Sequence, residues 1–139
     1  MTNAFIFHGI DSGPEDNWFP WLKRELESLD CRVIVPQFPT QENQTLDKWL
    51  KVFEENLGSY TEDAIAIGHS LGGRLALRIL ESYPVKVRAA YMDAVYIGVP
   101  PEVDYEGKES FEKQPHNWQL IRNRSQRFCV FHSDNDPYV

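Results

Sequence analysis

The stretch Ala64-Ile65-Ala66-Ile67-Gly68-His69-Ser70-Leu71-Gly72-Gly73 decides how this chain folds. Small and β-branched apolar residues at 64–67 read as a buried strand. Gly68-His69-Ser70-Leu71-Gly72 then fits the G-x-S-x-G pattern, and residues 71–83 read as a helix. Strand, tight turn and helix in that order form the setting in which a serine hydroxyl projects above the end of a strand. Such a turn holds the serine in strained backbone at positive φ, and glycines on either side let strand and helix approach closely.

Outward from this stretch, strands and helices alternate. Residues 4–7 form a short apolar run ending in His8-Gly9, as a strand buried on both faces would. Trp18, Leu22, Leu26 and Leu29 recur at helical spacing, with Lys23, Arg24 and Glu27 between them. Residues 32–35 read as a second strand closed by Pro36, and 37–44 as a polar loop containing Pro39. Thr45 is placed to cap a helix carrying Leu46, Trp49, Leu50, Phe53 and Leu57 on one face, with Gly58 as its stop. After the helix at 71–83, residues 87–94 read as a strand and 98–115 as a long insertion of the lid or binding-loop kind. A short helix at 117–123 and a fifth strand at 128–131 follow. The order predicts an α/β fold, a three-layer sandwich with a mainly parallel five-stranded sheet.

At 139 residues the chain reads as a single domain spanning 1–139. A hydrophobic fraction of 42% with four tryptophans argues for a packed core. A net charge of −7 without a basic cluster argues against nucleic acid and anionic membranes as partners. No apolar run approaches the roughly 18 residues of a membrane span. Residues 1–4 lack a basic leader, and the two cysteines, Cys31 and Cys129, read as reduced thiols. The expectation is a cytoplasmic protein. Nothing has metal-ligand spacing, and Gly9-Ile10-Asp11-Ser12-Gly13 is not a phosphate-cradling loop, so neither metal nor cofactor is expected.

In a parallel α/β sheet, ligands bind at the carboxyl ends of the strands. His8-Gly9, Ser70 and the Asp134/Asp136 pair fall at three such ends. A serine attacking a carbonyl needs a base to take its proton and donors for the oxyanion. The Leu71 N–H, at the helix start, is one candidate donor; Gly9 and Ile10 are candidates for the second. Asp134 and Asp136 both suit the acid by position, while Asp93 ends an earlier strand. Trp18, Phe19, Trp21 and Tyr105 are candidates for an apolar substrate pocket, with His8 and His69 beside the serine.

On these residues the chain resembles the small α/β-hydrolase family of YdeN-like and retinoblastoma-binding serine hydrolases. The matching features are His8-Gly9, the Trp18/Trp21 helix, Gly68-His69-Ser70-Leu71-Gly72, Asn117-Trp118, and Phe131-His132-Ser133-Asp134-Asn135-Asp136-Pro137. The resemblance implies Ser70 as nucleophile and Asp136, the aspartate before proline, as triad acid. It also implies a carboxylesterase-like activity on small ester or related acyl substrates.

The family pattern further implies a catalytic histidine in a Gly-His segment after one more helix and strand. His8, His69, His116 and His132 are not its equivalents. The chain is therefore expected to be incomplete at the C-terminus, lacking the family's final helix-strand-helix, with a Ser-Asp-His triad missing its histidine. An apolar edge strand at Phe128–Phe131 would then invite self-association. The alternative expectation is a catalytically silent protein-binding module on the same fold.

Overall fold

A computed structural model describes residues 1–98 and 107–137. Its elements are β1 (Asn3–Phe7), α1 (Phe19–Ser28), β2 (Arg32–Ile34), α2 (Leu46–Glu54), β3 (Ile65–His69), α3 (Leu71–Ser82), β4 (Val87–Asp93), α4 (Trp118–Asn123) and β5 (Ser125–Phe131). The strands form one sheet in the order β2-β1-β3-β4-β5, and every pairing in it is parallel. The α/β sandwich with a parallel five-stranded sheet expected from the alternation is the architecture observed.

Side-chain alternation along the strands separates two cores. On one face Phe5, Phe7, Ala66, Ala90 and Met92 meet Trp49 and Phe53 of α2, Leu75, Ile79 and Leu80 of α3, and Ile121 of α4. The small residues Ala66 and Ala90 let α3 lie close on the sheet centre. On the other face Ile6 and Ile67 pack with Phe19, Trp18, Leu22 and Leu26 at α1. Among the described residues α1 is the only helix packed there, so Tyr91 of β4 and Phe131 of β5 stack on each other at 6.4 Å beyond its cover. Phe131 is 56% exposed and Val130, on the opposite face, 62%.

Three details depart from the sequence reading. Strand β5 starts at Ser125 rather than at residue 128, because exposed polar Gln126 and Arg127 on an edge strand hide the apolar signal. Thr45 stands at the N-cap of α2 but directs its hydroxyl to Asp47 at 2.6 Å, and the Leu46 N–H is satisfied by Ser110 Oγ at 2.8 Å. The helix also ends at Glu54, with a 3₁₀ turn at Leu57–Ser59 where Gly58 was expected to stop it.

The described part of the expected lid packs against α3. Phe111 is fully buried, and Arg78 donates Nε to the Phe111 carbonyl at 2.8 Å and a second nitrogen to the Gln114 carbonyl. Glu81 accepts the Asn117 N–H and pairs with Arg78 at 2.8 Å. Burial alone would raise the Glu81 pKa, but the Asn117 N–H, Arg78 and His116 outweigh it and hold the carboxyl below its usual range. Residues 99–106, which include Tyr105, lie outside the described residues.

Candidate active site

Ser70 joins β3 to α3 at φ 52° and ψ −120°, a conformation that costs a non-glycine residue on the order of 1–3 kcal/mol. The surroundings hold it there. Its N–H donates to the Asp93 carbonyl at 2.9 Å, and its carbonyl accepts from Gly73 N–H at 3.0 Å. The two motif glycines have steric reasons: a Cβ on Gly68 would stand 2.5 Å from Gly73 Cα, and one on Gly72 only 2.1 Å from the Phe7 carbonyl oxygen. Only glycine lets β1, β3 and α3 meet this closely. Leu71 is the first residue of α3, so its N–H has no partner within the helix and belongs to the positive end of the helix dipole.

The loop after β1 lies against this turn. A Cβ built on Gly9 would be 3.2 Å from Ser70 Cβ. Asp11, at φ 46°, is gripped from the far loop by buried Gln44: its N–H donates to Gln44 Oε1 at 2.8 Å, and Gln44 Nε2 donates to its Oδ1 at 2.7 Å. Between Gly9 and Asp11, the Ile10 N–H has no hydrogen-bond partner among the described residues. The Asp11–Gln44 pairing has no local signature, since its members lie 33 residues apart.

His8 lies elsewhere than the pocket the sequence suggested. Its ring has no exposed surface and sits against Phe38 and Trp49 at centroid distances of 5.1 and 5.5 Å. Burial holds its pKa below the ordinary 6.5, although the Gly9 carbonyl and Asp16 pull the other way.

His69 points onto the α1 face. Its register partner on β4 is Asp93, and Nδ1 lies 2.8 Å from Asp93 Oδ2. Trp18 and Phe19 meet the imidazole edge-on at 5.7 and 5.8 Å. From this pair an open apolar groove of about 610 Å³ runs along the α1 face, lined among others by Trp18, Trp21, Leu22, Ile67, Tyr91 and Phe131. The structure thus brings Trp18 and His69 together beside the Ser70 turn and leaves His8 in the core. The role of Asp93 as partner of His69 was missed, because register is invisible before strands are paired.

Asp136 follows β5 and is partly buried, whereas Asp134 is exposed. His116 is buried beside Glu81 at 3.3 Å and Glu112 at 3.6 Å. His132 is exposed at the end of β5, two strands and hence about 10 Å across the sheet from β3. Among the described residues no group of three or more histidines, cysteines or acids is placed to hold a metal, and no helix is long and apolar enough to cross a membrane.

The chain is similar to several known proteins. It is 30% identical over 78 residues to the YdeN protein of Bacillus subtilis, a match covering 56% of this chain and 41% of YdeN, less than half of that relative's length. It is 25% identical over 141 aligned positions to the serine hydrolase RBBP9 of Rattus norvegicus, covering 99% of this chain and 74% of RBBP9. In structure, all of this chain superposes on 75% of the B. subtilis ydeN gene product with a TM-score of 0.90 at 22% identity. It also superposes on 71% of Est1E from Butyrivibrio proteoclasticus, a structure with ferulic acid bound, with a TM-score of 0.75 at 14% identity. The sequence model of the serine hydrolase family matches residues 4–139, and the chain belongs to that family.

Proposed function

We propose that Ser70 is the nucleophile of a carboxylesterase-like reaction on small esters, with Asp136 as the triad acid and the N–H groups of Leu71 and of the Gly9-Ile10 loop as oxyanion donors. The observation that carries this reading is the conformation of Ser70: strained at positive φ, at the N-terminus of α3, with the β1 loop packed against it. Attack of Ser70 Oγ on the ester carbonyl carbon forms the C–O bond and moves the carbonyl pair onto oxygen, where Leu71 and Ile10 N–H groups stabilise it. Collapse expels the alcohol and leaves an acyl-serine, which water then cleaves to free acid.

The proton of Ser70 needs a base, and the four histidines are poorly placed to be one. His8 is buried among aromatic rings, His69 turns onto the α1 face against Trp18 and Phe19, His116 lies between Glu81 and Glu112, and His132 stands two strands away. The reading therefore includes a triad whose histidine is not among these residues, and a rate well below that of a complete triad. With p-nitrophenyl acetate, the 139-residue chain is expected to turn over on the order of 10⁴-fold more slowly than a complete triad would. Fast turnover abolished by Ser70→Ala would uphold the nucleophile and overturn the missing base. Fast turnover unchanged in Ser70→Ala would overturn both.

A catalytically silent interaction module is the second reading, favoured by exposed Val130 and Phe131 on an edge strand. A second copy pairing along β5 is its simplest partner. Sedimentation equilibrium would then show a dimer that Val130→Lys dissociates, whereas a monomer at all concentrations would exclude it.

A further inference from the structure

His8 has two ring nitrogens and a different partner on each. Nδ1 lies 2.9 Å from the Gly9 carbonyl oxygen, an acceptor. Nε2 lies 2.9 Å from the Phe38 N–H, a donor. One arrangement satisfies both: a neutral imidazole with its proton on Nδ1, donating to Gly9 and accepting from Phe38. The ring is sealed there by Phe38 and Trp49, which stack on each other at 4.6 Å, while Trp49 Nε1 donates to the Pro39 carbonyl at 2.9 Å. Phe38 and Trp49 are uncharged, and the charged group acting on the ring is Asp16 of the loop after β1.

The bond to the Gly9 carbonyl fixes more than the ring. Among the described residues no peptide bond is cis, so the Gly9–Ile10 peptide is trans and its C=O and N–H point in opposite directions. Drawing the carbonyl toward His8 drives the Ile10 N–H away from His8. That N–H has no partner among the described residues, and it lies in the loop whose Gly9 packs on Ser70. On the far side Gln44 fixes Asp11, so the intervening peptide is held at both ends.

We propose that His8 is a positioning residue for the oxyanion loop, its Nδ1–H holding the Gly9 carbonyl inward so that the Ile10 N–H faces the space above Ser70. The proposal rests on the reading of Ser70 as a nucleophile, but the peptide geometry can be tested without it. Asparagine places an amide near the Nδ1 position and glutamine near Nε2. His8→Asn therefore keeps a donor for the Gly9 carbonyl and loses the acceptor for Phe38, whereas His8→Gln does the reverse.

Three measurements decide it. In a long-range ¹⁵N spectrum, His8 is expected as the neutral Nδ1–H tautomer, in wild type and Ser70→Ala alike; the Nε2–H tautomer would overturn the proposal. In both variants the Ile10 amide resonance is followed, and it is expected to keep its position in His8→Asn and to move in His8→Gln. The reverse order, or no shift in either, would overturn it, because a side chain that merely fills the core has no reason to distinguish the two amides. With a fluorophosphonate probe, labelling of Ser70 is expected to slow by about 100-fold in His8→Gln, as for loss of one oxyanion donor, and to be rescued largely in His8→Asn. Equal slowing in both would overturn the proposal. Absence of label in a folded wild-type chain would count against the nucleophile, leaving the tautomer and the Ile10 amide to judge His8.

Discussion

The two faces of the sheet are unequally covered, and each has a histidine at its upper rim. The face under α2, α3 and α4 is dry: Phe5, Phe7, Trp49, Phe53, Leu75, Ile79 and Leu80 have no exposed surface. His8 is sealed into that side, neutral, with each nitrogen committed. The α1 face is open toward β4 and β5, and His69 stands at its rim, its side chain 24% exposed and tied to Asp93. One side holds the loop after β1 against Ser70, and the other leaves an apolar groove beside the same serine. Rigidity and access are thus divided between the two faces, with the Ser70 turn at their junction.

The sharpest way to break this comparison is to truncate matched aromatic residues. Phe53→Ala, on the closed face, is expected to cost about 3–5 kcal/mol in urea unfolding, as for other buried large-to-small changes. Trp21→Ala, at a residue 55% exposed on the open face, is expected to stay within about 0.5 kcal/mol. Equal costs would show that the α1 face is as closed as the other.

The His69–Asp93 pair should show an intermediate effect. Asp93→Asn keeps the backbone carbonyl that accepts from Ser70 and weakens only the side-chain bond to His69. A loss of about 0.5–1.5 kcal/mol is expected for a partly exposed hydrogen bond. No change would mean the pair forms only weakly in solution.

The burial of His8 also has a consequence for pH. Because burial lowers the folded-state pKa of His8 below 6.5, the unfolded chain takes up that proton first. The stability His8 contributes is complete above about pH 6.5, falls as pH drops below it, and levels off once the folded-state value is passed. The difference in unfolding free energy between wild type and His8→Asn should therefore narrow between pH 7.5 and pH 5.5. A difference independent of pH would contradict a buried neutral imidazole.

How much of this was legible in the sequence follows from the range of each interaction. The Ser70 turn was readable because strand, glycines and helix are contiguous from 64 to 83, and all three act locally. The α/β alternation was readable for the same reason. The placement of His8 was not, since the groups that enclose it, Phe38 and Trp49, arrive from the next two segments of chain. Nor was the grip of Gln44 on Asp11, or the Ser110 hydroxyl that caps α2 from 64 residues away. The start of β5 was misjudged where edge position, rather than residue type, decides burial. Site residues that act through neighbours in sequence could be named, and those that act across the fold needed the sheet order first.

The central claim is that the fold presents Ser70 as a nucleophile. Prolonged incubation of the folded chain with a fluorophosphonate probe, followed by peptide mass spectrometry, tests it directly. The account predicts one adduct, on Ser70, slow to form and absent from Ser70→Ala. A folded chain that takes no label at Ser70, or the same labelling in Ser70→Ala, would contradict it.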